Sequence, residues 1–119
     1  MSGRLTTHVL DIGSGRPAAG MDIELYYLHP TGGLRYVCSA RTRGDGRTGQ
    51  PLLADGQMIA GIFELLFQVG DYYRQSEGAG HQPLLWESVP VRFTIPHPGE
   101  HVHIPLLIAP GGYSTYRGS

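Results

Sequence analysis

Lysine is absent from this 119-residue chain, and all nine cationic side chains are arginines. Without a lysine amine the chain can form no lysine Schiff base and no Ser-Lys dyad, and it has no P-loop lysine. Cysteine is nearly as scarce. Cys38 stands alone, so no intrachain disulfide can form, and the pattern is not that of a disulfide-stapled secreted scaffold. Long apolar runs are missing too: no segment approaches the ~20 residues that cross a bilayer as a helix. Met1-Ser2-Gly3-Arg4-Leu5 lacks the apolar stretch of a signal peptide. The expected setting is the reducing cytoplasm. Charge of one sign is also lacking. Nine arginines against ten acidic residues leave a net charge of −1 with no run of either sign, which excludes a basic nucleic-acid stripe or a membrane-surface helix.

What is abundant is turn chemistry. The 18 glycines and nine prolines favour many short strands over long helices. Clusters at 13–15, 30–33, 44–46, 55–56, 78–80, 96–99 and 110–112 separate segments rich in β-branched and aromatic residues. Eight strands are expected, at roughly 4–10, 21–28, 34–42, 51–54, 60–69, 89–95, 100–108 and 113–117, with one short helix within 70–77. The length suits a single domain spanning residues 1–119. The fold class is all-β, a sandwich with a minor helix.

Period-two alternation is clearest near the end. Val102, Ile104, Leu106 and Ile108 form one apolar face, which turns His101 and His103 to the other. In the first strand Leu5, Thr7 and Val9 alternate with His8, so His8 also leaves the core side. Two imidazoles on the outer face of a sheet have no packing role.

Other patterns weigh less. Gly44-Asp45-Gly46-Arg47-Thr48-Gly49 satisfies GxGxxG literally, yet Gln50-Pro51 follows where a dinucleotide site needs a helix. A tight turn that aims Arg47 is the better reading. His97, His101 and His103, with His8 as a further donor, have spacing that would suit zinc, but the same histidines suit acid–base work near neutral pH. Ser14 lacks the spacing of a nucleophile elbow. Cys38 shares its alternation with Leu34, Tyr36 and Ala40 and reads as a small hydrophobe. His29 and His81 fall in turns, Glu64 and Gln68 on the wet face of a strand, and Trp86 in packing.

Together Leu5-Thr6-Thr7-His8-Val9-Leu10-Asp11, Gly15-Arg16-Pro17-Ala18-Ala19-Gly20-Met21, Asp45-Gly46-Arg47, Phe63-Glu64-Leu65, Gly70-Asp71-Tyr72-Tyr73, His101-Val102-His103-Ile104-Pro105-Leu106-Leu107 and Tyr116-Arg117-Gly118-Ser119 closely resemble the 5-hydroxyisourate hydrolases of the transthyretin-like protein family. The early histidine, the arginine of DGR, the second histidine of HxHxPLL and the final YRGS distinguish these hydrolases from transthyretin, the hormone carrier. The resemblance implies a transthyretin-like sandwich of two four-stranded sheets, assembled as a homotetramer with sites between subunits. It implies hydrolysis of 5-hydroxyisourate, a small molecule, to a ureido-imidazoline carboxylate. His8, Arg47, His103 and Ser119 would be catalytic, and His8, Arg47, Tyr116 and Ser119 would bind substrate, with no metal or organic cofactor. Ile12 replaces a more usual threonine, outside these positions. A carrier of the same fold is the competing reading, and the His8/Arg47/His103 set argues against it. Either imidazole is suited to be the general base.

Overall fold

Sheet-forming residues alternate along most of the chain, and the strands follow that alternation. The computed structural model describes residues 3–54, 56–75 and 85–119. Its elements in chain order are β1 (Leu5–Asp11), β2 (Arg16–Pro17), β3 (Asp22–Leu28), β4 (Leu34–Arg41), β5 (Gly61–Phe67), α1 (Val69–Gln75), β6 (Val89–Ile95), β7 (Val102–Ala109) and β8 (Gly112–Thr115). They build two four-stranded sheets, ordered β2-β1-β7-β8 and β4-β3-β5-β6. This is the expected all-β sandwich with one short helix.

The core lies between the sheets. From the first, Leu5, Val9, Val102, Ile104, Leu106 and Ile108 turn inward; from the second, Ile23, Leu25, Phe63, Leu65, Phe67, Val89 and Ile95 meet them. Each is almost wholly excluded from solvent, and burying one such side chain contributes about 1.5–3 kcal/mol before the entropy of ordering it is counted. The buried Thr7 hydroxyl donates to the Ile104 carbonyl at 2.6 Å, so it enters the core satisfied.

Two strands differ from the sequence expectation. The stretch 51–54 is a loop that touches β1 through a single bridge, Leu5 to Leu53. Pro51 has no N–H to give, and the backbone contact is limited to Leu52 and Leu53 against Leu5. The eighth strand is instead β2, two residues long and including a proline, too short to produce any periodicity.

Helix α1 docks through Val69, Gly70 and Tyr73. The Tyr72 hydroxyl donates to the Asp11 carboxylate at 2.9 Å, tying the helix to the end of β1. Cys38 is half-buried, as a small hydrophobe would be. Its Sγ donates to the Leu52 carbonyl at 3.3 Å, and burial pushes the thiol up, which holds it in its unreactive protonated form. Trp86 packs edge-on against Tyr113, and exposed His29 bonds Thr31 through Nδ1. Glu64 on the outer face pairs with Arg92 at 3.0 Å. His81 and the end of the expected helix lie outside the described residues. Among the described residues no helix is long and apolar enough to cross a membrane.

Candidate active site

The pairing of β1 with β7 is parallel and places Thr6 opposite His103 and His8 opposite Pro105. Because Leu5, Thr7 and Val9 are committed to the core, Thr6 and His8 emerge on the outer face, where His103 and Pro105 emerge from β7. His8 Nδ1 and His103 Nε2 are 2.8 Å apart and hydrogen-bonded. The two rings stack with centroids 4.9 Å apart and an interplanar angle of 29°. On the far side of His103, Nδ1 hydrogen-bonds the Thr6 hydroxyl at 2.8 Å. Three outward side chains thus form one chain of contacts.

Arg47 arrives from the turn after β4. Asp45 accepts the Arg47 backbone N–H at 2.9 Å, an Asx turn of the kind aspartate favours. Val9 N–H donates to the Gly46 carbonyl, and Arg43 N–H to the Arg47 carbonyl. A bridge between His8 and Arg47 completes the attachment to β1. Gly46 has φ of 78°, and any Cβ there would collide with the Val9 carbonyl. The position therefore demands glycine on two counts. GxGxxG opens no helix; it is a turn, as its context predicts.

The chain's last residues close the site. Pro105 has no N–H with which to extend the β7–β8 ladder, which ends with Leu106 opposite Thr115. The Thr115 hydroxyl donates instead to the Pro105 carbonyl at 2.7 Å. Freed from the sheet, the tail folds across the outer face, where Gly118 N–H donates to the His103 carbonyl at 2.8 Å. Arg117 turns away, 3.6 Å from Glu100.

Thr6, His8, Arg47, His103, Pro105, Tyr116, Gly118 and Ser119 line a depression of about 300 Å³. All five site residues singled out in the sequence are there, joined by Gly118, which the sequence suggested as the point where the tail turns into the pocket, and by Thr6 and Pro105, which are not titratable and which sequence reasoning passed over. The TTH spacing itself carries the signal for Thr6: two residues before His8, it must share His8's face of the strand. His97 and His101 do not join them. Among the described residues no three His, Cys, Asp or Glu side chains gather as metal ligands, and both nitrogens of His103 are already engaged.

Electrostatics suit an anion and a neutral base. Burial, foremost, and the Arg47 charge hold His103 below the ordinary imidazole range; the Thr6 backbone acts the other way. His8 is lowered by burial, then by His103 and Arg47. Both shifts favour the neutral form of the rings. The Arg47 guanidinium, a planar fork of donors, forms no ion pair among the described residues.

Known proteins share this architecture. The 5-hydroxyisourate hydrolase of Halalkalibacterium halodurans is 47% identical over 119 residues, covering all of both chains. The structure of Klebsiella pneumoniae 5-hydroxyisourate hydrolase superposes with a TM-score of 0.81 at 30% identity, covering 98% of this chain and 99% of that one. A crystal structure of (S)-allantoin synthase gives a TM-score of 0.87 at 40% identity over 99% of this chain, which spans only 44% of that longer protein. The family model described as HIUase/Transthyretin matches residues 5–118, and with that coverage the chain belongs to the HIUase/transthyretin family.

Proposed function

We propose that the chain is a single-domain 5-hydroxyisourate hydrolase, with His8, Arg47, His103 and Ser119 catalytic and Tyr116 assisting in binding. The carrying observation is a pair of hydrogen-bonded neutral imidazoles beside an arginine with no ion-pair partner among the described residues. Relatives named for that activity, similar over the full length, support the choice of substrate.

Water is a poor nucleophile at neutral pH, and a neutral imidazole can take its proton as the new C–O bond forms, a contribution of about 10²–10⁴ in rate. The carbonyl of the six-membered ring becomes a tetrahedral oxyanion, and Arg47 supplies a fixed positive fork to it. Collapse of the intermediate breaks the ring C–N bond. The proton held by the imidazole leaves with that nitrogen, so the pair returns to neutrality and the product is a ureido-imidazoline carboxylate. The Tyr116 and Ser119 hydroxyls orient the substrate at the rim. The chemistry calls on no metal or organic cofactor.

The chain forms a homotetramer in this proposal, with the site face turned toward a second subunit. Support comes from that same face: half-buried Leu10 and Leu107 share it with the histidines, and Ile12 and Tyr116 nearby are substantially exposed. Its setting is the cytoplasm, without nucleic-acid or membrane partners. The test is purified protein added to freshly generated 5-hydroxyisourate, followed by absorbance. Faster decay than the spontaneous reaction is expected, with a large loss in Arg47→Ala; decay at the spontaneous rate would overturn the reading and favour the carrier.

A further inference from the structure

We propose that Arg117 is a positioning residue, whose grip on Glu100 and on the His101 carbonyl holds the tail over the histidine pair and keeps Tyr116 and Ser119 in the depression. The inference rests on the hydrolase reading and goes beyond it by giving a role to the one residue of the YRGS motif that the site itself does not use.

The order of residues in the tail sets this up. Tyr116, Gly118 and Ser119 line the depression, and Arg117 does not. Tyr116 in, Arg117 out and Gly118 in is the alternation of a strand, and it sends Arg117 away from the histidines. There it meets the turn that leads into β7. Its Nη2 donates to the His101 carbonyl at 3.4 Å and lies 3.6 Å from the Glu100 carboxylate.

That turn is a firm anchor. Glu100 N–H donates to the His97 carbonyl at 3.1 Å, Gly3 N–H to the Pro98 carbonyl at 3.1 Å, and Val102 N–H to the Arg4 carbonyl at 2.8 Å. Gly3 is packed so closely that a Cβ there would collide with the Pro98 and Glu100 carbonyls. The turn is thus bound to itself and to the residues just before β1, the strand that carries Thr6 and His8.

Arg117 and Gly118 act as neighbouring holds. Arg117 takes the His101 carbonyl, and the Gly118 N–H takes the His103 carbonyl two residues on, at 2.8 Å. Ser119 follows directly, so its hydroxyl stands where these two contacts leave it. The Arg117 and Glu100 side chains are 62% and 49% exposed, and an ion pair so open to solvent adds little to folding stability. Its effect falls on where the tail lies.

Charge exchange tests this. Arg117→Glu and Glu100→Arg each set like charges face to face, and each is expected to lower kcat/KM about tenfold with Tm near the parent. The double variant Arg117→Glu/Glu100→Arg restores an opposite pair and is expected to recover most of the loss. An arginine that contacted substrate directly, or served only in packing, would give no such recovery. In the substrate-free protein, exchange of the Gly118 amide followed by NMR is expected to quicken in each single variant and to slow again in the double one. Parental kcat/KM in a folded Arg117→Glu, or a folded double variant no more active than the single ones, would overturn the inference. Should the parent fail to speed hydroxyisourate decay, the hydrolase reading fails separately, and the Gly118 amide still decides whether Arg117 holds the tail.

Discussion

At the scale of single residues, the two site histidines make pH the most informative variable. Burial and Arg47 lower both pKa values in the folded chain, whereas in the unfolded chain they titrate near the ordinary ~6.5. The first consequence concerns activity. Since the base must be neutral, kcat/KM is expected to be level around pH 7 and to fall only on the acid side, with a midpoint below ~6.5. The second concerns stability, with the sign set by which state binds protons more readily. Here it is the unfolded state, so the contribution is complete above the unfolded pKa and is lost as pH falls through ~6.5 toward the folded values. Melting temperatures at pH 7.5 and pH 5 should therefore differ more for the parent than for a His8→Asn/His103→Asn double variant. That variant should also lose about 10²–10⁴ in kcat. Equal pH sensitivity of the two melting curves would remove the histidines from the linkage.

At the scale of elements, the tail after β8 matters most. Expecting Gly118 to serve as a hinge is natural for glycine, but its φ is not among the positive ones. Its necessity is steric: a Cβ there would collide with the His103 ring. Gly118→Ala should therefore displace either the tail or the imidazole, and it is expected to resemble deletion of residues 116–119. Both should lose most of kcat/KM while Tm stays within a few degrees, because the buried faces of β1 and β7 are untouched. Near-parental activity in a folded truncated protein would reduce the tail to a covering. The same element shows what sequence alone conveys. Alternation in 102–108 put His103 outward and Val102 inward, as found, because period two needs no partner to be read. The parallel register of β1 on β7, the departure of the tail after Thr115 and the passage of Gly118 over the imidazole depend on residues far apart in the chain, and no local pattern encodes them. The strand expected at 51–54 failed for a related reason: leucines flanked by a proline and a turn satisfy strand composition, yet pairing stops after one bridge.

At the scale of the whole molecule, the face that carries the site is less well covered than its chemistry demands. Electrostatic catalysis gains strength as water is excluded, and in one chain Arg47, Tyr116 and Ser119 remain exposed. A closed assembly of four copies, of the symmetric kind usual for soluble oligomers, would cover them. Sedimentation velocity is expected to show tetramers, and specific activity should fall on dilution below their dissociation range. A fully active monomer would overturn the proposed assembly.

The parallel pairing of β1 with β7 also sets a timetable for biosynthesis. Thr6 and His103 are separated by 97 positions in sequence, and the ribosome delivers them in that order. β1 must wait, unpaired along the β7 side, until the long segment between the two strands has been translated; such distant pairings are also the slow ones in folding. For that interval the nascent strand is an open edge able to join a neighbouring polypeptide. Co-translational protection of residues 5–11 would then govern yield in the cell more than the stability of the finished sandwich does.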